Sequence, residues 1–334
     1  MESVESNSSA EGNDLWKLLV TGRESVMGNF FRMVNIRWNR EEIVSWGSLR
    51  KTAYLLLPLL FYFLIHDAAE ILLWAGLDRL MTVGSQSMTE FLTDNAYTVN
   101  GLIKGLAILA GVAAIWQAVH GEISGSESKA SGKGGTGTLD KKDTETSGRS
   151  GMEAMATCYM VLGALAFLSA LALNLLFFLL GFTKSSEAYA QTARVQYGVD
   201  FVAGLFLYGV LSPAAEEAVF RGLIYNRMKR CFSYPIALVV SSLFFGCYHG
   251  NWVQALYGTL LGLLIAWTYE KYGSFAAPVL FHSVANVSIY AMTYYDGLGK
   301  MSRPVSIGIV AVSMVGAAVC VWYIRCSHRS ILSD

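Results

Sequence analysis

Charge is scarce in this chain: Asp, Glu, Lys and Arg make up 15% of its 334 residues, where a soluble domain of this length carries about a quarter. That shortfall excludes an ordinary soluble enzyme. The basic residues form no cluster of the kind a nucleic acid requires, and the net charge of zero favours no charged partner. Cysteine is scarce too. Cys158, Cys231, Cys247, Cys320 and Cys326 are scattered, mostly in apolar stretches and without C-x-x-C spacing. This excludes a disulfide frame or a structural zinc site and reads as reduced packing residues. Cys247 lies two residues before His249, but on a helix positions i and i+2 face about 200° apart, so the pair does not act on one atom. No internal repeat is present, and one broken helix without a matching partner in a second half argues against a transporter. Residues 1–14 are polar and acidic and do not read as a signal peptide.

Hydrophobic residues, by contrast, are 54% of the chain. They fall into apolar segments near the length a bilayer requires, approximately 53–75, 101–119, 154–182, 199–229, 234–250, 252–269, 274–293 and 304–324. The expected fold is an all-α polytopic membrane helical bundle of about eight transmembrane helices, with the lipid bilayer as its first partner. Five regions follow. Residues 1–52 form a cytoplasmic or interfacial N-terminal segment, in which Trp16, Phe30, Phe31 and Trp38 alternate with Lys17, Arg23, Arg32 and Arg37. Residues 53–119 hold two N-terminal spans, and 120–151 form a flexible loop rich in Gly, Ser and Lys. Residues 152–325 form a six-helix core, and 326–334 a short cytoplasmic tail. The Lys/Arg bias places both termini in the cytoplasm and the chain in the plasma membrane.

Three polar clusters interrupt this apolar background: Glu216-Glu217-x-x-x-Arg221, Phe245-x-x-x-His249 and His282-x-x-x-Asn286. Such groups cost several kcal/mol at membrane depth, so they are rare there unless they pair or do chemistry. Glu217 and Arg221 stand four apart, where a helix lets a carboxylate meet a guanidinium. Glu216 points about 100° away. Two adjacent carboxylates in a dry site do not both ionise cheaply; Arg221 neutralises Glu217 and leaves Glu216 as the tunable base. Ser212-Pro213 lies mid-segment, and proline is expected to divide this span and start a new helix just before the two glutamates. His282 and Asn286 share one face and need internal partners; a plain polar helix–helix contact is the bland alternative.

The ordered trio resembles the CPBP family of intramembrane endopeptidases, which includes the CAAX prenyl proteases and bacteriocin-processing or self-immunity proteins. That family carries E-E-x-x-x-R, F-x-x-x-H and H-x-x-x-N/D on successive membrane helices, and all three motifs are intact here, over roughly residues 155–295. The resemblance implies hydrolysis of a peptide bond, in a membrane-associated peptide or protein substrate with or without a lipid attached. Two mechanisms stay open. In the favoured, metal-free one, Glu216 with His249 activates water and His282 with Asn286 stabilises the oxyanion. In the other, Glu216, His249 and His282 hold Zn2+ and Glu217 is the base; the chain has no H-E-x-x-H, and Asn is a poor zinc ligand. A non-catalytic immunity or chaperone protein on the same scaffold is the alternative to an enzyme.

One further constellation lies outside these motifs. His66, Asp67 and Glu70 sit in the first apolar segment. They are expected to close the same cavity or pair elsewhere in the bundle, or else the span ends at Ile65 and Asp67 caps a following helix.

Overall fold

A computed structural model of the chain describes residues 28, 30–131 and 144–331. Every regular element among them is helical. After a short helix at Arg40–Val44 come α1 (Ser48–Val83), α2 (Gln86–Asp94), α3 (Ala96–Ser131) and α4 (Thr144–Leu179). Then follow α5 (Glu187–Tyr197), α6 (Phe201–Cys231), α7 (Tyr234–Tyr248), α8 (Trp252–Tyr272), α9 (Ala276–Tyr294) and α10 (Arg303–Ile331).

Each of the eight apolar segments coincides with one of α1, α3, α4, α6, α7, α8, α9 and α10. Five of these helices, α1, α3, α4, α6 and α10, are long and apolar enough to cross a membrane by length and composition. The chain is a multi-pass integral membrane protein. α7 is apolar but has only 15 residues, about 22 Å of helix against a hydrocarbon core of roughly 30 Å. It is therefore shorter than that layer is thick. The chain reverses at Gly250, whose φ of 73° suits a residue without Cβ, and Asn251 caps α8 by accepting from the Gln254 N–H at 2.9 Å.

The two helices of this hairpin approach closely because small residues face each other. A Cβ on Gly246 would lie 2.2 Å from Thr259 Oγ1 and 2.3 Å from the Ala255 carbonyl, so only glycine lets α7 lie this close to α8. α1 pairs with α3, and α4 with α10 and α9. One core cluster gathers Tyr62, Ile115, Val119, Phe220, Leu223 and Phe245 from α1, α3, α6 and α7. Another joins Leu162, Leu165, Leu261, Ile265, Phe281 and Ile324 from α4, α8, α9 and α10.

Three boundaries differ from the sequence reading. α3 continues as helix to Ser131, well into the stretch read as a loop from 120, because polar partners replace lipid beyond the apolar run. Glu122 is buried and pairs with Arg227 Nε at 3.2 Å and with Arg230, while Glu127 accepts the Phe275 N–H at 2.9 Å. α4 likewise begins at Thr144; the middle of the expected loop, 132–143, lies outside the described residues. α10 runs to Ile331, into the stretch read as a tail from 326. The N-terminal segment is docked on protein where it is described: Ile43 and Trp46 pack on Tyr54 of α1, and Arg227 donates to the carbonyls of Val34 at 2.6 Å and Met33 at 3.1 Å. Residues 1–27 and 29 of this segment lie outside the described residues.

Candidate active site

α6 carries the first cluster and is unbroken, contrary to the expected division at Pro213. The backbone stays right-handed helical through Leu211 and Ser212. The proline is absorbed by a change of register, since Leu207–Leu211 is a π-helix and the Ser212 N–H bonds back to the Leu207 carbonyl. In that i→i+5 register the donor owed to the Tyr208 carbonyl is residue 213, and proline has none. Asn286 of α9 supplies it, donating through Nδ2 at 3.0 Å. A second π stretch, Ala218–Tyr225, follows after the α-helical residues Ser212–Glu217. Glu216 and Glu217 therefore sit mid-helix between two widened turns and not at a helix N-terminus, so the helix dipole does not favour their charge. π-bulges of this kind recur at functional sites.

Glu217 is fully buried and shared. It accepts from Arg221 Nη1 at 2.9 Å, one helical turn on, and from His282 Nδ1 at 2.8 Å. Arg221 is equally buried; its Nη2 donates to the Gly262 carbonyl at 3.2 Å, and its guanidinium lies 4.4 Å from the centre of the Phe245 ring. Gly262 permits this approach, for a Cβ there would stand 3.1 Å from Arg221 Nη2. Phe245 links the clusters: its ring meets those of His249 and His282 edge-on at 5.2 and 5.4 Å.

Glu216 is free of Arg221. Its Oε1 accepts from Ser212 Oγ at 2.5 Å, and its Oε2 stands 3.9 Å from His282 Nε2, too far for a hydrogen bond. The tautomers follow from chemistry. His249 Nδ1 faces the Phe245 carbonyl at 3.0 Å, and a carbonyl only accepts, so that nitrogen carries the hydrogen and Nε2 is left over. His282 Nδ1 carries a hydrogen toward Glu217 by the same reasoning. Glu216, His249, His282 and Asn286 all line one cavity of about 190 Å³, together with Ser212, Tyr208 and Phe245. Glu217 and Arg221 stand behind its wall.

The sequence reading missed Ser212 and the Tyr208 carbonyl. Ser212 lies four residues before Glu216 and so shares its helical face, a signal that was available; the carbonyl carries none in the residue pattern. Cys247 is exposed and is not among the residues lining the cavity. His66 does not line it either. Its Nδ1 meets Asp67 Oδ1 at 2.8 Å, and because α1 runs on to Val83, Asp67 caps no helix. Among the described residues no three His, Cys, Asp or Glu side chains converge as a metal-ligand group, so Glu216, His249 and His282 do not fit an ion as they are placed.

Residues 198–288 match the family model described as type II CAAX prenyl endopeptidase Rce1-like. The matched stretch contains all three motifs, from Glu216 to Asn286, and leaves the N-terminal spans outside it. Over 155 residues the chain is 23% identical to YdiL of Bacillus subtilis (strain 168), provisionally named a membrane peptidase. That alignment covers 46% of this chain and 61% of the relative, so the chain spans less than two thirds of the curated protein it matches. No solved structure matches the chain.

Proposed function

We propose that this chain is an intramembrane endopeptidase that hydrolyses a peptide bond with water activated by Glu216 and His249. The observation that carries this reading is the convergence of Glu216, His249, His282 and Asn286 on one cavity, within a segment that matches a peptidase family. Glu216, hydrogen-bonded by Ser212 and unpaired with Arg221, takes a proton from water as its oxygen attacks the carbonyl carbon. His249 offers the free Nε2 lone pair to the same water. The oxyanion is met by the His282 ring, which Glu217 orients through Nδ1, and by the second amide hydrogen of Asn286. Collapse breaks the C–N bond, and the proton held on Glu216 passes to the leaving amine. Glu217 and Arg221 are positioning residues that fix the His282 ring.

Two observations favour this over a zinc-dependent version. Glu217, the base that version requires, is fully buried and already bound to two partners, and the three ligand side chains do not converge. The bilayer holds the enzyme, in the plasma membrane with both termini cytoplasmic by its Lys/Arg bias, and the substrate is a membrane-associated or CAAX-like peptide or protein. Cleavage of a quenched fluorescent peptide library by purified protein, with and without a chelator, tests the mechanism. The metal-free reading predicts full activity after chelation; activity lost to chelator and restored by zinc contradicts it.

A further inference from the structure

The catalytic cavity has a wall that belongs to none of the three motifs. Tyr189, Ala193, Gln196 and Tyr197 of α5 all line it; their spacing of four, three and one residues puts them on one face of that helix. The two charged residues of α5, Glu187 and Arg194, are exposed and point away from the cavity. The helix is held in place at both ends. Ser186 caps it by accepting the Tyr189 N–H at 3.2 Å, and Tyr197 stacks on Tyr290 of α9 with ring centres 5.4 Å apart. Tyr290 lies two turns beyond His282, so the wall is joined to the helix that carries the catalytic histidine. Gln254 of α8 lines the same cavity.

The electrostatics of this chamber are one-sided. Among the described residues that line it there is no lysine and no arginine, and Glu216 is its one carboxylate. His282 already faces two carboxylates, Glu217 at 2.8 Å and Glu216 at 3.9 Å, and so offers an acid no free partner. Burial raises the Tyr197 phenol to about 12, which keeps it a neutral hydrogen-bonding group. An acidic side chain entering beside the scissile bond would face Glu216 with no lysine or arginine to meet it, and juxtaposed like charges exclude partners. Tyrosine hydroxyl and glutamine amide groups instead suit an uncharged peptide.

We propose that α5 is the specificity wall of the site, and that it selects segments uncharged next to the scissile bond while excluding acidic residues at that position. This rests on the peptidase reading. The test uses the full chain in detergent with a set of quenched peptides that differ only at one position beside the mapped cleavage site: Gln, Phe or Asp. The Ala193→Lys variant places a cation on the α5 face. The wild type is expected to cleave the Asp peptide at least about tenfold more slowly than the Gln peptide, and Ala193→Lys to narrow that gap by about tenfold. Equal rates for Asp and Gln in the wild type, or an unchanged gap in Ala193→Lys, overturn the proposal. If neither protein cleaves any peptide, the peptidase reading has failed, and fluorescence anisotropy with the same peptides decides the wall separately. Weaker binding of the Asp peptide that Ala193→Lys restores supports the proposal; equal binding overturns it.

Discussion

Asn286 donates to the Tyr208 carbonyl across 3.0 Å, and so fills the place that Pro213 leaves empty in the π-helical turn of α6. The residue expected to stabilise an oxyanion therefore also completes the backbone of α6. The two roles are separable. Asn286→Ala should lose activity and cost about 1–3 kcal/mol of stability, the penalty for an unsatisfied buried carbonyl. Adding Pro213→Ala restores a backbone N–H, so the double variant should regain stability but not activity. Thermal unfolding in detergent, measured beside peptide cleavage, reads both.

Arg221 and Glu217 are both fully buried. Removing one partner strands the other charge, so Arg221→Ala should destabilise by about 3–5 kcal/mol. The paired change Arg221→Met with Glu217→Gln removes both charges and should recover most of that loss. It should stay inactive, because His282 no longer has a carboxylate to orient it. A double variant as active as the wild type would show that the pair serves packing alone.

His249 is positioned by the α7–α8 contact. In Gly246→Ala the new methyl meets Thr259 Oγ1 at 2.2 Å and the Ala255 carbonyl at 2.3 Å. Overpacking of this kind costs about 1–3 kcal/mol, and it should push His249 away from Glu216. The expected outcome is a fall in kcat larger than any change in KM, checked by steady-state kinetics. Gly163→Ala, where a Cβ meets nothing within 4 Å, is the control and should leave both constants alone.

At the other end of α6, Glu122 binds Arg227 and Arg230 and faces Arg37 Nε at 3.6 Å. Glu122→Gln leaves buried guanidinium groups without a counter-charge and loosens the N-terminal segment that Arg227 also holds. Limited proteolysis should then cut before residue 48 more quickly than in the wild type. Unchanged cutting would mean that the aromatic contacts of Trp46 with Tyr54 suffice.

The eight helices were legible because long apolar runs have one stable form in a bilayer, and the three clusters because charge is costly there. The Glu217–Arg221 pair was legible from its four-residue spacing. What escaped was hydrogen-bond register and anything held by contacts distant in sequence. The apolar pattern is the same for an α and a π turn, so the proline rule, which assumes the α register, predicted a break at Pro213 where the helix instead widens. Glu122 looked like part of a polar loop because its partners, Arg227 and Arg230, lie 105 and 108 residues away. α5 falls between the apolar segments 154–182 and 199–229; its cavity-facing tyrosines and glutamine gave too weak an apolar stripe to stand out.

The most direct measurement is the rate of peptide cleavage by purified Glu216→Gln beside the wild type, with both shown to be folded by thermal unfolding. Gln keeps the shape and the hydrogen bond to Ser212 but has no lone pair basic enough to take a proton from water. The account predicts a loss of at least about a hundredfold in kcat, the contribution of a general base. A variant that is folded and cleaves at the wild-type rate contradicts it.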